Sequence, residues 1–191
     1  MYKTVLKNEV NVRDFLDANY NDHKNFNKNL YVLGYGSLLH SAGWNGRGMA
    51  VRVRKTDLQE CGVAGFKRGK FGLYGEFTFY GTVHHKSSYL NGVLYNIHNV
   101  DDWLALMMTE AIAGIYDQYN YRVVDVTNDI TGVKLPEGSV VHMVVNEISN
   151  LNLYKYLRPY AGYYKNVWKG VKKERSNQFI DEFLTTGGVK S

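Results

Sequence analysis

Short apolar runs, each cut off by glycine or by a polar turn, recur from Leu30 to Val145. They constrain the fold more than any other feature of the chain. Leu30-Tyr31-Val32-Leu33 opens the series and is stopped by Gly34 and Gly36. Cys61 to Phe66, Phe71 to Tyr80, Asn91 to Ile97, Tyr121 to Val126 and Val140 to Val145 read as further strands. Ala50 to Arg54 alternates Val with Arg, the pattern of a half-buried strand, and Gly43 to Gly48 reads as a glycine-rich loop. Helix signals are fewer. Asn99 is placed to cap a helix with Asp101 and Asp102 in its first turn, where the dipole favours acids; it runs to about Ala113 and Gly114 stops it. A second helix covers Asn152 to Lys173 with a break at Pro159, and a third, capped by Ser176, covers Ser176 to Leu184. Strands in the middle with helices mostly toward the C-terminal side predict an α+β domain built on a curled sheet or small barrel.

Composition narrows the class without naming a function. The chain has 191 residues, 45% hydrophobic and 21% charged, enough for one globular domain with a core that needs no staples. Residues 30–191 form that domain. Residues 1–29, with seven Asn, read as a polar N-terminal extension, either lying on the domain or partly mobile, in which Val12, Phe15 and Leu16 share a short amphipathic turn capped by Asn11. The first twenty residues are too polar for a signal peptide, and no apolar run reaches membrane-spanning length. Cys61 stands alone, which excludes a disulfide framework and makes the cytoplasm the expected compartment. His84 and His85 are adjacent and would point to opposite faces of a strand, and no paired cysteines or His-Glu-x-x-His occur, so no metal site is expected. The oligomeric state is not legible.

Three groups of residues can carry chemistry. In Gly34-Tyr35-Gly36-Ser37-Leu38-Leu39, a strand runs into two glycines that let backbone N–H groups converge on an anion or a developing oxyanion, with Ser37 adding a hydroxyl. Read alone, this is more often an ordinary turn. Glu110, at helical spacing, shares a face with Trp103, Leu106, Met107 and Ala113, while Asp102, Ala105 and Thr109 form the polar stripe. An apolar setting would raise its pKa toward that of a general base, although a lone helix-edge Glu is the commoner case. Residues 151–173 hold six basic residues and no acid, interleaved with Tyr and Trp. That pattern fits a nucleic-acid surface, but an amphipathic helix with Lys165, Lys169, Lys172 and Lys173 on its solvated side is favoured.

The order of these features resembles the γ-glutamylcyclotransferase family. Tyr35-Gly36-Ser37-Leu38 follows a strand. Asn91-Gly92-Val93-Leu94-Tyr95 precedes the helix carrying Glu110. Arg158-Pro159, Tyr163 and Gly170 come late. The resemblance covers about Leu30 to Leu184. It implies a small mixed β-barrel with flanking helices that cyclises a γ-glutamyl group, releasing 5-oxoproline and an amine or amino acid without metal or cofactor. It also implies roles: Glu110 as the acid/base, and Tyr35, Gly36, Ser37, Leu38 and Tyr163 as the substrate pocket. Ala111 stands where the family usually has Gly after the Glu, and Tyr160 where a serine is common. The other readings are a non-catalytic ligand binder on the same fold and a nucleic-acid-binding protein.

Overall fold

The protein is described by a computed structural model that places residues 8–74, 76–110, 121–146 and 157–191. Among these residues seven strands form one mixed sheet: β1 (Leu30–Gly34), β2 (Gln59–Tyr74), β3 (Phe77–Asn96), β4 (Tyr121–Asp125), β5 (Ile130–Thr131), β6 (Val140–Asn146) and β7 (Arg158–Pro159). Their order is β4-β6-β1-β3-β2-β5, with β7 paired to the start of β3. β1 runs parallel to β6, and the other pairs on that path are antiparallel. Five helices flank the sheet: α1 (Val12–Asn21), α2 (Ser41–Asn45), α3 (Val100–Thr109), α4 (Ala161–Glu174) and α5 (Asn177–Thr185).

The sheet curls into a half-barrel because its longest hairpin is irregular. The β2–β3 register shifts between Ala64 and Phe66 and again between Gly69 and Gly72. An extra residue bends the bulged strand and adds twist. Gly65 sits at the first shift with φ +85°, a left-handed backbone that glycine adopts without steric cost.

Alternation on the strands divides the core in two. Leu30, Val32, Val93 and Tyr95 pack beneath Trp103, Leu106 and Met107 of α3, Tyr164, Val167, Trp168 and Val171 of α4, and Phe179 and Phe183 of α5. Leu33, Tyr35, Val63, Leu94, Val141, Met143 and Val145 form the second cluster. Arg68 is buried beside the first. It donates to the Asn91 backbone carbonyl, to Asn91 Oδ1 at 3.2 Å and to Thr186 Oγ1 at 3.2 Å, and lies 4.8 Å over the Phe183 ring.

The N-terminal segment lies on this body. Asn11 caps α1 by accepting from the Asp14 N–H at 3.0 Å. Phe15 meets Trp103 at 4.3 Å between ring centres. Before α1, Val10 N–H donates to Val123 at 2.8 Å and Asp125 N–H donates to Asn8 at 2.9 Å, so the segment adds a bridge to the β4 edge.

Several expectations change. Phe71 to Tyr80 is not one strand: β2 ends at Tyr74 and β3 begins at Phe77. Ala50 to Arg54 forms no strand, because buried Asp102 accepts from Ala50 N–H at 2.8 Å and Asn45 accepts from Val53 N–H at 2.8 Å, which pins the segment to helices. Asp102 therefore belongs to no polar stripe. Gly43 lies within α2 rather than in a loop. Of the long second helix, the described part begins only at Ala161, after Arg158 and Pro159 have paired with Phe77 and Thr78. Residues 152–156 of its upstream portion lie outside the described residues, as does Gly114, and α3 ends at Thr109 with Glu110 as its C-cap, before the expected Ala113.

Candidate active site

The Gly34–Leu39 segment leaves β1 and turns at once into a short 3-10 helix, Ser37–Leu39. Neighbouring helices fix its shape. Trp44 Nε1–H donates to the Leu38 carbonyl at 2.6 Å. Ser41, at the start of α2, donates through N–H and hydroxyl to Glu174 of α4 at 2.8 and 2.6 Å. Tyr163, also on α4, reaches the loop directly: its hydroxyl accepts from Ser37 N–H at 3.2 Å. One donor of the expected anion nest is thus already engaged. A Cβ on Gly36 would stand 2.6 Å from the Tyr163 hydroxyl and 3.0 Å from Tyr80 Cβ, so glycine is required by close approach.

These elements enclose a cavity of about 230 Å³. It brings together all six residues singled out from the sequence: Tyr35, Gly36, Ser37, Leu38, Glu110 and Tyr163. Tyr35 crosses to β6 and donates its hydroxyl to Val144 at 2.6 Å. Burial raises its pKa well above the usual phenol value, with the Glu110 charge adding to the rise. Burial raises Tyr163 likewise, again with Glu110 second. Both phenols hold their protons at neutral pH.

Glu110 does not lie within the helix. It is the C-cap of α3, and its N–H donates to the Leu106 and Met107 carbonyls at 3.1 Å. Its surroundings also differ from the apolar face expected. The carboxylate meets Arg47 Nη1 at 2.7 Å, and both side chains keep some solvent contact, 20% for Glu110 and 16% for Arg47. Ending the helix at Thr109 swings the next side chain off the packed face carrying Trp103 and Met107, and toward the cavity.

Arg47 is the residue that sequence reasoning missed. Besides Glu110, its guanidinium donates to Ser37 Oγ at 2.5 Å, to Thr109 Oγ1 at 3.1 Å and to the Gly43 carbonyl at 3.1 Å. It ties the glycine loop, α2 and the end of α3 into one wall. Among the described residues it and Glu110 are the two charged groups lining the cavity, and Phe79, Tyr80 and Tyr121 complete the wall. A lone cation in a glycine-rich stretch was the available signal, but nothing linear joins it to a distant Glu. Chemically the arrangement offers a carboxylate to move a proton, a guanidinium to orient that carboxylate, and hydroxyls to hold polar substrate atoms.

No protein-family model and no curated protein matches the chain. Solved structures share its fold. YkqA from Bacillus subtilis aligns with 87% of the chain at 18% identity and a TM-score of 0.56, and this chain spans 56% of YkqA. The human protein loc79017 aligns at 13% identity and a TM-score of 0.56, covering 84% of this chain and 89% of that one. A gamma-glutamyl cyclotransferase aligns at 14% identity and a TM-score of 0.52, covering 85% and 90%. At these identities the likeness concerns architecture: the chain has the γ-glutamylcyclotransferase-like fold, an α+β half-barrel with flanking helices, as the sequence resemblance implied. Among the described residues no helix is long and apolar enough to cross a membrane.

Proposed function

We propose that the protein is a γ-glutamyl cyclotransferase with Glu110 as its acid/base residue. The observation that carries this reading is the convergence of the Glu110 carboxylate, the Gly36–Ser37 loop and the Tyr163 hydroxyl on one small cavity. Its volume of about 230 Å³ lies below the roughly 300 Å³ at which pockets for drug-sized ligands begin, and suits a group of amino-acid size.

The chemistry follows from those groups. The α-ammonium of the glutamyl unit gives a proton to Glu110, and the freed nitrogen attacks the unit's own γ-carbonyl carbon. A C–N bond forms and closes the five-membered ring. Glu110 returns its proton to the departing nitrogen as the original γ C–N bond breaks, then takes the second proton from the ring nitrogen and passes it to the released amine, giving 5-oxoproline and an ammonium. Atoms and charge balance with no water and no added group. Because both reacting ends belong to one molecule, holding them in position supplies much of the rate. Tyr163 and Ser37 are hydroxyl partners for the substrate's oxygens. Arg47 keeps Glu110 aimed inward. The lone buried Cys61 fits work in the cytoplasm.

The test is 5-oxoproline release from γ-glutamyl dipeptides, γ-glutamylamines and glutathione by the parent and by Glu110→Gln. The variant keeps shape and hydrogen bonding but accepts no proton, so its rate is expected to fall about a hundredfold or more with thermal stability unchanged. Parental turnover in a folded Glu110→Gln protein removes Glu110 from the mechanism. A parent that binds γ-glutamyl compounds without releasing 5-oxoproline is a binder.

A further inference from the structure

One wall of the cavity continues to the surface as a strip of aromatic rings. Tyr163 and Phe79 both line the cavity, with ring centres 5.0 Å apart and edge to face. Tyr160 lies outside it, 5.8 Å from Phe79, and Phe77 stands 5.4 Å beyond in another edge-to-face contact. Phe77 and Phe79 are two apart on β3 and so share a face. The strip is held from the backbone, since Tyr160 N–H donates to the Thr78 carbonyl at 3.2 Å and β7 pairs Arg158 with Phe77. Tyr160 caps the start of α4 yet remains 48% exposed, one of the most exposed large rings in the described chain. Phe77 and Phe79 are half-buried, so three rings stand together beside the cavity with their outer edge open to solvent.

We propose that Phe77, Phe79 and Tyr160 form the subsite for the leaving half of the substrate, and that this half carries an aromatic or large apolar side chain. This rests on the cyclotransferase reading. With the glutamyl unit in the cavity, the scissile γ C–N bond points the leaving amine toward the mouth, and on the Phe79 side the surface beyond is aromatic. An apolar side chain laid there loses water from both surfaces and can stack edge to face. A glycine leaving group gains neither contact.

The experiment compares 5-oxoproline release from γ-glutamyl-phenylalanine, γ-glutamyl-glycine and γ-glutamyl-ε-lysine by the parent and by Tyr160→Ala. The expected result is a kcat/KM for the phenylalanine compound about tenfold or more above the other two. Tyr160→Ala should erase that advantage through KM while leaving the glycine compound within about twofold, because the ring lies outside the cavity. Equal parental rates, a preference for lysine, or an equal loss on all three substrates would overturn the subsite. Calorimetry of the same compounds on Glu110→Gln separates the two readings. Tighter binding of the phenylalanine compound without any parental turnover keeps the subsite and ends the enzyme assignment. Turnover without that binding preference does the reverse.

Discussion

Arg47 and Arg68 carry the same charge into two differently built regions. At the cavity, Arg47 has a carboxylate at 2.7 Å and keeps some solvent contact. In the seam under α5, Arg68 is 1% exposed and, among the described residues, has no carboxylate in ion-pair range. A carbonyl, an amide, a hydroxyl and an aromatic face do that work. Burial pushes its pKa down, to about 10, so it is still a cation at neutral pH. A charge matched by a counter-ion beside solvent stays available to a ligand. A charge matched by fixed dipoles holds its neighbours in place. The first region is built as a candidate site and the second as a joint, although a residue-type count would not separate them.

The comparison breaks most easily at Arg68. Arg68→Ala removes the ring contact, takes the guanidinium donors from the Asn91 carbonyl and amide oxygens and leaves a void, so stability should fall by about 3 kcal/mol. For a chain of this size that is a thermal midpoint lower by roughly 6–12 °C, while turnover by the folded fraction stays near parental. Arg68→Met restores packing without charge. If it recovers full stability, the cation was dispensable and the joint is made by shape.

Buried His142 sharpens the contrast, because it meets the same cost by giving up its proton. It accepts from Trp103 Nε1–H at 3.1 Å, and burial pushes its pKa down to about 4, with Asp125 opposing. Between pH 6.5 and 4 the unfolded chain therefore binds more protons than the native one. Stability rises with pH across that window and falls as acid is added, by up to about 3 kcal/mol. His40, its pKa also lowered by burial, adds in the same direction. Urea midpoints measured from pH 7 to pH 4 check this, and a flat profile down to pH 5 would contradict it.

Arg47→Met should do what Arg68→Ala does not. We expect a kcat lower by about tenfold, with KM and the thermal midpoint little changed, since a partly exposed ion pair contributes about 1 kcal/mol or less to stability. Arg47→Lys should restore part of the rate. The smallest effect belongs to the cations of α4. Lys165, Lys169 and Lys172 are exposed, and their joint replacement by Gln should leave turnover within about threefold. A larger loss, or tight salt-sensitive nucleic-acid binding by the parent, would give that face a role.

The strands and caps were legible wherever a local rule decides. The strand over Leu30 to Leu33, which runs one residue further to Gly34, and the caps Asn11, Asn99 and Ser176 stand where periodicity and capping put them. Ala50 to Arg54 failed because its alternation was overruled by contacts to Asp102 and Asn45, which lie on other elements. The membership of the cavity was legible in six residues through family resemblance. Its electrostatics were not. Helical periodicity carried Glu110 past Thr109 onto an apolar face, whereas the chain stops being helical one residue earlier and hands the carboxylate to Arg47. Tertiary partners decide such endings, and a periodicity rule does not see them.

The bridge between the N-terminal segment and β4 has a consequence for the protein's behaviour among other copies of itself. β4 ends the sheet order, and a bare strand there would offer a row of unpaired N–H and C=O groups to any passing chain. Asn8 and Val10 fill hydrogen bonds along that row, and Glu9 adds an ion pair to Arg122 at 3.2 Å. The segment covers part of that row, and its removal would leave β4 with an open edge on which another chain could add as a strand.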